Sequence, residues 1–168
     1  MATARALRMQ IGATQTVAIA LHEMVEVIEN VELTWVPCAP SHCQWLVRWR
    51  NQLVPLFDPE IWCGAVRAER VAAVARFHAI VSFETGDSNT LGFGCLALQS
   101  FPAAMAVDDE SACRLPGARW ASIAHSCVLD DTAVMPILNL PAMFGRMPDG
   151  SIESLRFQPS LVEEFVLA

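Results

Sequence analysis

Apolar and polar positions alternate or cluster in short runs along most of the chain, and few stretches keep the period of a helix. Residues 16–21 (TVAIAL) and 24–28 (MVEVI) are brief segments rich in β-branched side chains, and residues 31–37 continue the pattern. Such runs, bounded by turn-forming residues, predict strands. Trp45-Leu46-Val47-Arg48-Trp49-Arg50 and Leu53-Val54-Pro55-Leu56-Phe57 are two extended runs parted near Asn51-Gln52, the pattern of a β-hairpin. Pro55 places its strand at a sheet edge or a bulge. Residues 77–83 and 91–98 predict two further strands around the turn residues 85–89. Gly92 and Gly94 in the second of these mark a bulge or a close backbone approach. Residues 122–129 and 133–140, about the turn Asp130-Asp131, predict another hairpin. Helical spacing is clearest over 63–76 (CGAVRAERVAAVAR), where Val66, Ala73 and Val74 can face inward and Glu69 with Arg67, Arg70 and Arg76 decorates a polar face. Residues 102–118 read as irregular and 148–168 as a looser tail, with a short helix over 160–166. No segment reads as a linker, so 1–168 is expected to fold as one domain.

One internal relation goes beyond single elements. Val54-Pro55-Leu56-Phe57-Asp58-Pro59 and Met135-Pro136-Ile137-Leu138-Asn139-Leu140 match at an offset of 81 residues, each following a tight turn and preceding an aromatic-bearing segment. Two copies at half the chain length predict two similar β units packed together.

Composition narrows the function. Hydrophobic residues make up 54% of the chain and charged ones 17%, which excludes disorder and leaves apolar surface for partners. The net charge is −7 and all eleven cations are arginines. An acidic chain without basic clusters is a poor nucleic-acid binder, and without lysine it has neither a P-loop phosphate cradle nor Schiff-base chemistry. Polar residues Gln10, Thr14, Gln15 and Thr16 interrupt the N-terminal apolar stretch, so it reads as a strand and its approach, with no direct membrane insertion and a cytoplasmic location expected. The six cysteines show no C-x-x-C pair and read as reduced, small core residues.

Candidate chemistry is weak. His125-Ser126-Cys127 places a base and a thiol on one face of a strand, but no third group orients the ring. Cys38, His42 and Cys43 share a proline-shaped loop without the second ligand pair of a structural zinc site. The acidic stretches 108–110 and 130–131 read as a solvated loop and a turn. No catalytic residue, cofactor or metal is expected. An enzyme using Cys127 or Cys43 with a histidine remains the alternative.

The unusual stretch is Trp45 to Arg50. Strand alternation puts Trp45, Val47 and Trp49 on one face and Leu46, Arg48 and Arg50 on the other. Tryptophan and arginine are enriched at interface hot spots, yet the same pattern suits a core face backed by solvated arginines, and both readings stand here. In this setting residues 22–59 (HEMVEVIENVELTWVPCAPSHCQWLVRWRNQLVPLFDP) resemble the CheW-like chemotaxis coupling proteins. Met24-Val25-Glu26-Val27 answers the family's V-x-E-[IV], Pro40 its proline loop, Arg50 the arginine of N-L-R-G, and Val54-Pro55 with Asp58 the closing V-P-x-x-D. Gly92-Phe93-Gly94 and residues 134–140 resemble the family's later strands, so the likeness covers about residues 8–145.

The resemblance implies a mainly β fold, two SH3-like five-stranded β-barrel subdomains sharing a core, with one or two short helices. It implies a non-enzymatic scaffold that couples the cytoplasmic tip of methyl-accepting chemoreceptors to a CheA-type histidine kinase, recruited from the cytoplasm to membrane-associated arrays. Its protein-binding residues would be Met24, Glu26, Trp45, Arg48, Trp49, Arg50 and Asn51, with Arg50 offering a planar fork to a carboxylate or backbone carbonyls. Two departures stand out: Asn51 replaces the glycine of N-L-R-G, and Trp45 replaces the glycine before the strand. They point to a divergent array, such as that of type IV pilus twitching motility, or to a degenerate coupler binding one partner.

Overall fold

A computed structural model of the chain describes residues 3–12, 15–64, 75–86, 90–130 and 133–145. Eleven strands lie among them: β1 (Thr3–Gln10), β2 (Thr16–Ala20), β3 (Met24–Glu29), β4 (Leu33–Trp35), β5 (Trp45–Trp49), β6 (Gln52–Phe57), β7 (Phe77–Glu84), β8 (Leu91–Leu98), β9 (Ala103–Asp108), β10 (Ala124–Asp130) and β11 (Ala133–Leu138). Two short helices follow β6 and β11: α1 (Pro59–Trp62) and α2 (Leu140–Gly145). The strands form a five-stranded sheet in the order β10-β11-β2-β1-β9 and a six-stranded sheet in the order β3-β7-β8-β6-β5-β4. The fold is therefore mainly β with two subdomains. The second sheet has one strand more than expected, the three-residue β4 paired to β5 at its edge.

Among the described residues three apolar cores hold these sheets. Val47, Trp49, Val54, Leu56, Ile80 and Cys95 form one within the six-stranded sheet, and Ala6, Ala18, Val128 and Met135 form one within the five-stranded sheet. The largest is shared: Met9, Val17, Ile19 and Leu138 from one sheet meet Phe57, Ala79, Val81, Leu96 and Leu98 from the other. Successive side chains of a strand point to opposite faces, so β2 sends Val17 and Ile19 to the shared core and Ala18 inward. β7 likewise divides Ala79 and Val81 from Ile80. Strands buried on both faces read as continuous apolar runs, as residues 17–19 and 79–81 do.

The 81-residue repeat has a structural counterpart. Trp49 faces Gln52 across β5–β6, and Asp130 faces Ala133 across β10–β11, each at the same offset. Leu56 and Ile137, also 81 apart, each make a parallel pairing, with Cys95 of β8 and Ala18 of β2. The caps match as well: the Asp58 carboxylate accepts from the Glu60 and Ile61 amides at the start of α1, and the Asn139 side-chain carbonyl accepts from the Ala142 amide in α2. Short side chains that accept from the first helical amides start a helix at that point.

Several expectations change. Residues 102–118 are not all irregular, since β9 occupies Ala103–Asp108 and pairs with β1 from Thr3 to Arg8. Both strands are rich in alanine and helix-favouring residues, and their mutual pairing overrides that propensity. Pro55 lies within the sheet and not at its edge, because β6 sits between β5 and β8. Counting from the hydrogen-bonded pair Trp49–Gln52 that closes the turn, Pro55 falls in a non-hydrogen-bonded pair with Leu46. Its nitrogen therefore faces β8, whose pairing with β6 runs over Leu56 and Phe57. Of the helix expected over 63–76, residues 65–74 lie outside the described residues; Cys63 and Gly64 end α1, with Gly64 at φ 95°. The tail over 148–168 also lies outside them.

Gly92 and Gly94 mark a close approach without a bulge, because β7 and β8 pair in continuous register from Phe77–Leu98 to Glu84–Leu91. A Cβ on Gly92 would overlap the Phe83 ring and one on Gly94 the Phe144 ring, and these two rings stack with centroids 5.3 Å apart. The glycines thus let Phe144 of α2 seat on β8 in the shared core. We expect Gly94→Ala to lower stability by about 1–3 kcal/mol, the usual range for overpacking, in urea unfolding. Gly86→Ala, with open space around it, should leave the midpoint unchanged.

Candidate functional site

The β5–β6 turn is built from two residues with left-handed backbones, Arg50 at φ 45° and Asn51 at φ 62°. Two-residue hairpin turns with positive φ at both central positions match the twist of the flanking strands. Asn tolerates that region well, so Asn51 fills the place of a glycine without breaking the turn. Arginine there is uncommon, and its surroundings account for it. Arg50 Nη2 donates to Glu26 Oε2 at 3.1 Å, and its guanidinium lies 4.8 Å from the Trp49 ring centroid. The same carboxylate oxygen accepts from Trp49 Nε1 at 2.9 Å.

Glu26 lies on β3 and Trp49 on β5, strands separated in the sheet by β7, β8 and β6. A flat sheet could not bring them together; the hydrogen bond requires the sheet to curl until β3 meets β5. Glu26 is thus a latch on the curled sheet as well as the acid that holds Arg50. Phe93 on β8 completes the group, its ring tilted 5.2 Å from that of Trp49. Sequence reading did not single out Phe93 as a site residue. Its flanking glycines gave no direct signal for it, because in the strand they turn to the face opposite Phe93, towards Phe83 and Phe144.

The seven residues expected at the site separate. Glu26, Trp49, Arg50 and Asn51 come together at the turn. Trp49 is buried, so it acts on the surface through Glu26, while the Arg50 side chain is 67% exposed. Trp45, Val47 and Trp49 do share one face, and that face packs into the inner core; Trp45 pairs with Trp35 of β4. Met24 instead packs against the shared core, because a bulge at Val25 shifts the register from Met24–Val81 to Glu26–Ile80. Arg48 points to solvent and makes a 3.5 Å ion pair with Glu32, with both side chains mostly exposed. Such a pair contributes little to stability.

The thiol candidates are unsuited to nucleophilic work. Burial pushes the Cys43 thiol up to about 11, and burial together with the neighbouring Cys113 pushes Cys127 up to about 12. A nucleophilic cysteine needs the opposite shift. His125 and Cys127 do not share a face, contrary to the alternation expected from sequence. The register steps from Ala124–Leu138 to Ser126–Ile137, a bulge at His125 that leaves this residue exposed while Cys127 is buried. Among the described residues no group of three or more His, Cys, Asp and Glu side chains could hold a metal ion, and no helix is long and apolar enough to cross a membrane.

The CheW-like domain family matches residues 5–148, most of the chain and both sheets. The chain belongs to the CheW-like domain family. Its fold is similar to that of the scaffolding protein TtCheW from Thermoanaerobacter tengcongensis, with a TM-score of 0.58 and 13% sequence identity over 82% of this chain and 90% of that one. No curated protein matches it. At this identity the likeness is one of fold.

Removing the latch has a defined consequence. In Glu26→Ala the buried Trp49 Nε1 loses its acceptor, and stability should fall by about 1–3 kcal/mol, read as a lower urea midpoint. Glu26→Gln keeps an acceptor oxygen and should lose less; equal losses would show that charge, and not the indole hydrogen bond, holds the turn. A second consequence is pH-dependent. His42 packs between Phe57 and Trp62, with ring centroids 5.1 and 4.7 Å away. Burial, against the opposing field of Asp58, holds it below the ordinary 6.5. The unfolded chain therefore takes up this proton first as pH falls, and the folded state loses stability below about pH 6.5. The fall in urea midpoint between about pH 7.5 and 5.5 should shrink in His42→Asn; an unchanged fall would assign the slope to other groups.

Proposed function

We propose that this protein is a non-enzymatic adaptor that couples the cytoplasmic tip of methyl-accepting chemoreceptors to a CheA-type histidine kinase. It would work from the cytoplasm, recruited to membrane-associated receptor arrays. The observation that carries this reading is membership of the CheW-like family over residues 5–148, on a fold shared with a scaffolding protein. The turn adds a physical reason. Arg50 is held outward by Glu26 and Trp49 in a fixed posture, so its guanidinium loses less rotamer entropy when it engages a partner. Its planar fork suits a carboxylate or paired backbone carbonyls on the receptor side.

The reading of a degenerate coupler named two lost glycines, at Trp45 and Asn51, and at the second of these Asn51 adopts the left-handed geometry that the turn needs. That departure alone gives no reason for a partner to be lost. The thiol-enzyme alternative has against it the upward shifts at Cys43 and Cys127.

Binding of the full chain to a receptor cytoplasmic fragment tests the role of the turn. Arg50→Ala should weaken the association about tenfold or more, as expected for a charged hydrogen-bonding contact at an interface, with an unchanged circular dichroism spectrum. Undiminished binding would remove Arg50 from the receptor surface.

A further inference from the structure

Two of the six cysteines meet beside an isolated antiparallel bridge at the edge of the five-stranded sheet. β10 is an edge strand of that sheet, with β11 on one side. On its other side runs the segment that follows the 3₁₀ turn Asp109–Ser111: Ala112 bridges Val128, and the Cys113 amide donates to the Cys127 carbonyl at 2.8 Å. One step along from the Ala112–Val128 bridge, Cys113 stands directly opposite Cys127. Antiparallel residues facing each other in this way have Cα atoms about 4.5–5.5 Å apart, inside the roughly 4.4–6.8 Å span of a disulfide. Both thiols are free in this structure, and they lie close enough to interact.

We propose that Cys113 and Cys127 form a reversible dithiol–disulfide site, oxidised by low-molecular-weight disulfides of the glutathione type. The half-buried Cys113 reacts first and the buried Cys127 second. The Cys113 sulfur, as thiolate, attacks one sulfur of the small disulfide, forms a mixed disulfide and expels a small thiolate, which takes up a proton. The Cys127 sulfur gives up its proton and attacks Cys113 Sγ, and the second small thiolate leaves and is protonated in turn. Two protein thiols lose two electrons and two protons; the small disulfide gains them and becomes two thiols. Burial of Cys127 disfavours its thiolate, so the first attack falls to the more accessible Cys113, and the second step depends on the two residues facing each other beside the Ala112–Val128 bridge.

The bond would tie residues 112–113 to the β10 edge and close a loop over residues 114–126. That loop carries Trp120 and Ile123, buried in the shared core, and Leu115 packed against it. The crosslink would therefore pin a connection seated between the two sheets.

The full chain should be equilibrated with glutathione disulfide, its remaining thiols alkylated under denaturing conditions, and the peptides mapped. The expected product is one disulfide between the peptides holding Cys113 and Cys127, with Cys38, Cys43, Cys63 and Cys95 all alkylated. It should reverse with dithiothreitol and raise the thermal midpoint by several degrees. Cys113→Ala should abolish the bond and leave the melting curve insensitive to glutathione disulfide. A bond between any other pair would overturn the proposal, as would a glutathione adduct persisting on Cys113 while Cys127 is recovered as a free thiol. Mapping of the unmodified sequence decides the matter even if a variant fails to fold.

Discussion

Because Val17 and Ile19 of β2 bury their side chains in the same apolar layer as Ala79 and Val81 of β7, neither sheet can complete its core without the other. Each central strand has one face turned to this layer and one turned into its own sheet. The two curled sheets are thus bound by a constraint stronger than contact between finished domains. Separating them would expose Met9, Leu96, Leu98, Leu138 and Leu140, all fully buried. At ~1.5–3 kcal/mol for each large apolar side chain returned to water, even this short roster exceeds much of a domain's usual net stability. The helices α1 and α2 serve the same layer. Asp58 and Asn139 start them at equivalent places, and Phe144 reaches the layer over the bare backbone of Gly94.

The glutamate latch depends on that arrangement and adds a second level to it. Curling brings β3 to β5, and Glu26 then satisfies the buried indole of Trp49 while neutralising Arg50 beside it. One carboxylate oxygen joins a core aromatic residue to an exposed cation. The posture of Arg50 is consequently a property of the closed sheet and not of the turn alone. This is the feature a coupling protein needs if its contact surface is to be rigid before a partner arrives. It also accounts for an arginine at positive φ, where its ion pair, its stacking and the turn geometry act together.

Much of the fold was legible in the sequence because its strands carry strong local signals. The β5–β6 and β10–β11 hairpins, the runs at 77–83 and 91–98, and the 81-residue relation are all visible in residue order. β1 and β9 were hidden for a common reason: Thr3–Gln10 and Ala103–Asp108 are alanine-rich and acquire strand conformation from pairing with each other across some 100 residues of chain. The high apolar content also had two meanings. It suggested surface left for partners, whereas three cores and strands buried on both faces use much of it internally. At the site, alternation correctly grouped Trp45, Val47 and Trp49 but could not say which side they faced. The long-range contact of Glu26 with Trp49 and Arg50 was beyond any local pattern, and the bulges at Val25 and His125 defeated simple alternation there.

The central claim is that one rigid CheW-like unit joins two signalling partners. The most direct measurement is size-exclusion chromatography with light scattering of the full chain mixed with a CheA-type kinase and a chemoreceptor cytoplasmic fragment, together and in pairs. The account predicts a ternary complex whose formation requires this chain. Recovery of the kinase and receptor unbridged, with this chain eluting alone, would contradict it.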